Sequence, residues 1–128
     1  MRGLLIQEPH ISKILDGNKT WEMRGSHTNI RETIALIASG SDTVIGVCEL
    51  VDCIGPLSAN AFRANAAKVG KRPSEAALGY YKQTYAWVMA KPKRLHRPVP
   101  YVHPSGAIIW VRLADSVERT IKRQLAKV

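Results

Sequence analysis

Lys19, Trp21, Glu22 and Arg24 crowd into six residues of the stretch Gly17-Asn18-Lys19-Thr20-Trp21-Glu22-Met23-Arg24. Three ionisable groups and an indole at this density are unusual for a strand that only packs. A lysine partly shielded from water loses its proton more easily and can act as a base or nucleophile. The same lysine could instead contact a phosphate or pair with Glu22. A carboxylate between Lys19 and Arg24 would stay ionised and hold both cations. The Arg24 fork suits a phosphate or a base edge. Trp21, set among charges, could offer a flat face to a nucleobase, worth about 1–3 kcal/mol per stacked base.

These residues need a scaffold, and the flanking pattern supplies one. Leu4-Leu5-Ile6 reads as a short buried strand. Pro9 opens a helix through about Asp16 with Ile11, Ile14 and Leu15 on one face, and Gly17 suits its end. Thr20 to Arg24 is the motif strand, whose alternation would separate Lys19, Trp21 and Met23 from Thr20, Glu22 and Arg24. Gly25 to Asn29 is a polar loop. Thr33–Ala38 and Val44–Val51 read as strands joined by a Ser39-Gly40-Ser41-Asp42 hairpin turn. Ser58 is an N-cap for a helix from Ala59 to about Val69, ended by Gly70, and Ser74 caps a second helix over Glu75–Leu78. Thr84–Ala90 and Ala107–Leu113 are strands, with Lys91–Pro100 a basic, proline-punctuated connection between them. Val117, Ile121 and Leu125 mark a C-terminal amphipathic helix over about 114–126. Five or six strands with inserted helices make an α+β fold that suits a small, mostly closed barrel, and the pattern alone leaves other α+β arrangements open.

The chain of 128 residues is expected to be one domain over 1–128, with a modest core. No apolar run reaches the roughly 20 residues of a membrane helix, and the N-terminus turns polar too soon for a signal peptide. Cys48 and Cys53 lie five apart, hence on opposite faces of one strand. They are expected to be reduced thiols in a cytoplasmic protein. The net charge is +9, and it is unevenly spread: residues 1–58 carry −2 and residues 59–128 carry +11. Such a field points to a polyanionic partner, of which nucleic acid is the commonest.

The basic residues gather in two groups, Arg63, Lys68, Lys71 and Arg72 after the inserted helix, and Lys91, Lys93, Arg94 and Arg97 before the last strand. Both could track a phosphate backbone by releasing counterions, or serve as solvated faces. Lys13 joins them from the first helix, and Arg119, Lys122, Arg123 and Lys127 could extend the patch. Ser105 lies in a His103-Pro104-Ser105-Gly106 turn. Its hydroxyl could bond a phosphate or assist hydrolysis with His103 nearby, or simply complete the turn. Trp87 and Trp110 sit in apolar strands and read as core, and Tyr80, Tyr81 and Tyr85 could equally be packing. The four histidines and two cysteines have no metal-ligand spacing, so no metal is expected. With no glycine-rich phosphate loop, no nucleotide cofactor is expected either.

The motif Gly-x-Lys-x-x-Glu-x-Arg resembles the signature of the ASCH domain, a branch of the PUA-like superfamily. Further similarities follow in order: Val44-Ile45-Gly46-Val47-Cys48-Glu49-Leu50-Val51-Asp52, Gly55-Pro56-Leu57-Ser58, Tyr85-Ala86-Trp87-Val88 and His103-Pro104-Ser105-Gly106-Ala107-Ile108-Ile109-Trp110. The resemblance spans roughly residues 3 to 113 and looks like a small stand-alone bacterial-type ASCH protein. It implies a PUA-like β-barrel with a helix near one mouth and a cleft beside it. In members with amidohydrolase activity the motif lysine lies in that cleft and is catalytic, and Lys19 matches its position. Some members show ribonuclease activity, for which Lys19 and Ser105 would share a site. The members that act on N4-acetylcytidine have threonine where this chain has Glu22, and their second carboxylate has no clear match here. That departure counts against deacetylation.

The expectation is an RNA-binding domain whose cleft, around Lys19, Trp21, Glu22 and Arg24, takes a base or nucleotide. The alternative is a hydrolase with Lys19, Glu22 and Ser105 as catalytic candidates. It would be either a metal-independent ribonuclease on single-stranded RNA or an amidohydrolase on acylated cytidines, with Glu22 or Glu49 assisting. A protein-binding adaptor is a third reading. On the nucleic-acid reading Lys13, Trp21, Arg24, Arg63, Lys71 and Arg72 contact the ligand, as do Lys91, Lys93, Arg94 and His103.

Overall fold

The computed structural model describes residues 1–70 and 82–126. Its elements run β1 (Arg2–Ile6), α1 (His10–Leu15), β2 (Trp21–Arg24), β3 (Glu32–Ala38), β4 (Thr43–Ile54), α2 (Ala59–Ala64), α3 (Ala66–Val69), β5 (Tyr85–Pro100), β6 (Trp110–Arg112) and α4 (Asp115–Leu125). The strands form one six-stranded sheet in the order β2-β5-β4-β3-β1-β6. β1 and β3 are parallel, and the other neighbouring pairs are antiparallel. The sheet curls into a half-barrel, the PUA-like architecture expected. The helix expected over Glu75–Leu78, together with Lys71, Arg72, Tyr80, Tyr81 and Lys127, lies outside the described residues.

Two apolar clusters hold the curl. Inside it, Ile11, Ile14 and Leu15 of α1 pack on Leu4, Ile6, Ile34, Leu36, Cys48, Leu50, Trp87 and Met89. Burial of one such side chain contributes roughly 1.5–3 kcal/mol. On the outer face Ile121 of α4 is fully buried against Leu5, Ile37, Val99, Tyr101 and Val111, with Val117 and Leu125 at the margin. The four-residue spacing of the C-terminal helix therefore reports its buried stripe. Gln124 fixes that helix to β5: its Oε1 accepts from Arg97 N at 3.1 Å and its Nε2 donates to Arg97 O at 3.1 Å. Among the described residues no helix is long and apolar enough to cross a membrane.

Four sequence expectations need correcting. Lys91–Pro100 is not a connection but the second half of β5, paired with β4 from Val47↔Lys93 to Thr43↔Pro100. Prolines are tolerated because the register shifts between Val44 and Gly46 and between Val47 and Glu49, leaving Pro92 and Pro98 outside the ladder. Lys91, at φ +50°, sits in one of these irregularities. The strand expected over Ala107–Leu113 is only Trp110–Arg112, since β1 offers it only the three partners Leu4, Gly3 and Arg2. The helix expected from Ala59 to Val69 breaks at Asn65, whose Nδ2 donates to Ala61 O at 2.8 Å. Finally, a further shift between Leu50 and Asp52 resets the side-chain alternation of β4. Cys48 and Cys53 therefore meet the same inner cluster rather than opposite faces, and both are free thiols. Of the expected caps, Ser58 Oγ accepts from Ala61 N at 3.0 Å, and Gly17 and Gly70 have φ of +82° and +76°, while Ser74 lies outside the described residues.

Gly46 marks a point where α1 and β5 approach the barrel wall. A Cβ there would lie 2.4 Å from Leu15 Cδ2 and 2.8 Å from the Lys93 carbonyl oxygen. The side chain could yield, but the strand oxygen cannot. Gly46→Ala should lower unfolding free energy by about 1–3 kcal/mol in urea titration. Burial, with Glu49 adding repulsion, pushes the Cys48 thiol up to about 12. Native protein treated with iodoacetamide at pH 8 should therefore be alkylated at Cys53 and spared at Cys48, as read by peptide mass spectrometry. Because the folded thiol holds its proton longer than the unfolded one, stability should also fall as pH rises from about 9 toward 12.

Candidate functional site

The motif is positioned by three elements. α1 ends at Asp16, and Gly17 turns the chain so that Asn18 N and Lys19 N both donate to Lys13 O, at 2.9 and 3.1 Å. Thr20 then ties the inserted helices to the sheet. Its N donates to Lys68 O at 2.8 Å, and its O accepts from Met89 N at 2.8 Å. From Trp21 the chain runs antiparallel to β5, with Glu22 opposite Trp87 and Arg24 opposite Tyr85.

A buried charge network forms on this frame. Glu22 has Lys19 Nζ 3.6 Å from Oε1 and Arg24 Nη2 3.0 Å from Oε2. The side chains are 2% exposed at Lys19, 9% at Glu22 and 16% at Arg24. Lys19 precedes β2 and so escapes the strict alternation of the strand, which lets it reach the same carboxylate as Arg24. Its Nζ also donates to Val69 O at 3.0 Å, while Lys13 Nζ donates to Gly70 O at 3.2 Å. Two lysines thus engage the carbonyls at the end of α3.

Arg24 reaches further. Its Nη2 donates to Leu5 O at 2.8 Å, joining β2 to β1 across the open side of the half-barrel. Its guanidinium carbon is 5.5 Å from the Trp87 ring centre, within cation–π range. Trp87 is stacked on Trp110 at 5.7 Å with 16° between planes, and its Nε1 donates to Ser26 O at 2.9 Å. One chain of contacts therefore runs from Lys19 through Glu22, Arg24 and Trp87 to Trp110.

Trp21 does not present an open face to a base, contrary to the expectation. It is 5% exposed, packed with Met23, Phe62, Val69 and Ala86, and Lys68 Nζ lies 5.2 Å from its ring centre. The inserted α2 and α3 cover it, a long-range contact that no local pattern reveals. Ser105 is exposed in the turn before β6. His103 spans the base of that turn, with Nδ1 2.8 Å from Tyr101 Oη and Nε2 2.9 Å from Ala107 O. A carbonyl only accepts, so Nε2 carries a proton, and in the neutral ring the tyrosine hydroxyl donates to Nδ1. Burial and nearby Asp42 raise the Tyr101 phenol above its ordinary range, which keeps that donor in place. Lys19 lies in the loop before β2 and Ser105 in the turn before β6. Arg63 is exposed, with Nη2 2.9 Å from Asn60 Oδ1.

On β5, Lys91, Lys93 and Arg94 are exposed. Lys91 Nζ is 3.8 Å from Glu49 Oε2 and Arg94 Nη2 is 3.3 Å from Asp16 Oδ1. Exposed pairs of this kind contribute about 0–1 kcal/mol and yield readily to a competing anion. Among the described residues no three His, Cys, Asp or Glu side chains gather as a metal site would require. Sequence reasoning missed the role of Leu5 O and of the Trp87–Trp110 stack, since neither contact has a local signature.

Glu22 is the carboxylate that lies between these two shielded cations. Glu22→Ala should cost about 3–5 kcal/mol, because it removes the opposite charge from between them. Lys19→Met should cost less, because Glu22 keeps Arg24. Urea midpoints of the two variants should fall in that order, and equal midpoints would show that the network is not organised around the carboxylate.

The architecture has close structural counterparts. The ASCH protein of Zymomonas mobilis superposes with a TM-score of 0.70 at 14% identity, covering 99% of this chain and 94% of that one. Two point variants of the same protein give TM-scores of 0.72 and 0.69, also at 14% identity, covering 95% of this chain and 96% and 94% of theirs. Such distant identity establishes the shared fold alone. Among curated protein sequences none matches the chain. The family model for the ASCH domain matches residues 4–99, from the first strand through the basic end of β5. The chain belongs to the ASCH domain family.

Proposed function

We propose that this protein binds single-stranded RNA. A base or nucleotide would sit beside the Lys19–Glu22–Arg24 network, and the phosphate backbone would follow the second half of β5. ASCH domains are generally RNA-binding. The observation that carries the reading is the dual use of β5. Its first residues pair with the motif strand, at Glu22↔Trp87, and the same strand then exposes Lys91, Lys93, Arg94 and Arg97. A ligand held at the motif has a cationic track leading away from it. Lys19 donates to a main-chain carbonyl and lies beside the Glu22 carboxylate, an arrangement that suits holding and orienting a ligand.

The test is equilibrium binding of a labelled single-stranded RNA at several salt concentrations. Wild type should show a steep loss of affinity with salt, about 0.7 in logarithmic slope per phosphate contact. Replacing Lys93, Arg94 and Arg97 together by glutamate should weaken binding at least about tenfold and flatten the slope by about 2. Unchanged binding in that variant would overturn the backbone track. Incubation of the same RNA with EDTA, followed by a denaturing gel, separates holding from cleavage. Product formed by wild type and lost in Lys19→Ala would overturn the reading of a binder without turnover.

A further inference from the structure

We propose that Trp110 is the platform on which an unpaired base stacks, and that Arg2 and Arg112 hold its adjoining phosphate. This deepens the RNA-binding reading and rests on it. The two indoles of the inner stack differ in situation. Trp87 is 2% exposed and has its nitrogen satisfied by Ser26 O. Trp110 is only half-buried and lies on the edge strand β6. Two apolar residues precede it in the open: Ile108 is 79% exposed and Ile109 38%. A near-parallel indole pair whose outer member reaches solvent can be lengthened by one more flat ring.

The charges beside it point to an anion. β1 and β6 pair Leu4 with Trp110 and Arg2 with Arg112. The pleat puts Trp110 and Arg112 on one face of β6, and Leu4 and Arg2 on the matching face of β1. Two like charges directly opposite each other in a strand pair are destabilising on their own. Only Arg2 has an acidic partner among the described residues, Glu32 at 3.3 Å in an exposed pair. Arg112 has none there. A phosphate bound between the two guanidiniums would remove their repulsion, and their planar forks match its oxygens. An aromatic ring next to two arginines is the chemistry of a nucleotide within a single strand. An acidic peptide would use the arginines but not the ring.

The platform also touches the motif. Trp87 lies against Trp110 on one side of the stack and within 5.5 Å of Arg24. A base on Trp110 is therefore read by the end of the contact chain that begins at Lys19. The track on β5 and the platform on β6 would engage successive parts of one strand.

The experiment uses the full chain and a labelled single-stranded RNA, with a second oligonucleotide of the same length in which the sugars lack bases. Wild type should bind the intact strand about 5- to 100-fold tighter than the abasic one. Trp110→Ala should lose most of that difference with the salt slope unchanged, and Trp110→Tyr should keep it. Arg112→Ala should weaken both strands and flatten the slope by about 0.7. Thermal unfolding of each variant checks that it is folded. The abasic comparison needs no variant, so a Trp110→Ala that fails to fold leaves the test standing. Equal affinity of wild type for the two strands overturns the platform while leaving RNA binding intact. So does a folded Trp110→Ala that still prefers the intact strand as wild type does. No binding of either strand by wild type overturns the RNA-binding reading and the platform with it.

Discussion

Glu22 is the constraint around which the molecule is arranged. A carboxylate this shielded persists only if its charge is matched, and Lys19 and Arg24 match it from two directions. Each cation then has donors to spare. Lys19 uses one on the end of α3, and Arg24 uses one on β1. The ion network consequently fastens the inserted helices to the motif strand and closes the sheet where no ladder exists. The three ionisable side chains that first look like chemistry are also the joinery of the fold. For that reason a loss of activity on altering any of them needs a stability measurement beside it.

The division of labour among the aromatics follows from the same geometry. Trp21 and Trp87 are on neighbouring strands and both are buried, one beneath the inserted helices and one inside the curl. Lys68 over Trp21 and Arg24 over Trp87 shield these rings with cations. A shielded ring is a structural one. The ring left partly open is on the short edge strand, where pairing stops after three residues.

Much of the architecture was legible because local rules dominate it. The apolar stripe of α1, the four-residue spacing of α4, the Ser58 cap and the left-handed glycines at 17 and 70 each follow from neighbours in sequence. The order of motifs carried the family. What was not legible depends on distant partners or on slips of register. The exposed look of Trp21 among charges was reversed by residues 62–69 folding over it. The prolines of β5 argued for a loop, yet the register shifts of β4 absorb them. The same slips brought Cys53 to the face of Cys48. At the site, spacing named Lys19, Glu22 and Arg24, but only the folded chain joins them to Leu5, Trp87 and Trp110.

The clasp of Gln124 on Arg97 has a wider consequence. Its amide meets both the N–H and the carbonyl of one strand residue, as a neighbouring strand would. Beyond Val88 β2 no longer covers that strand, so its margin would otherwise be a template for a second copy of the chain. One side-chain amide fills a rung of that template, and Pro92, Pro98 and Pro100 withhold the hydrogens that other rungs would need. Gln124 thus does for one rung of that margin what a neighbouring strand would do, with a side chain in place of a backbone.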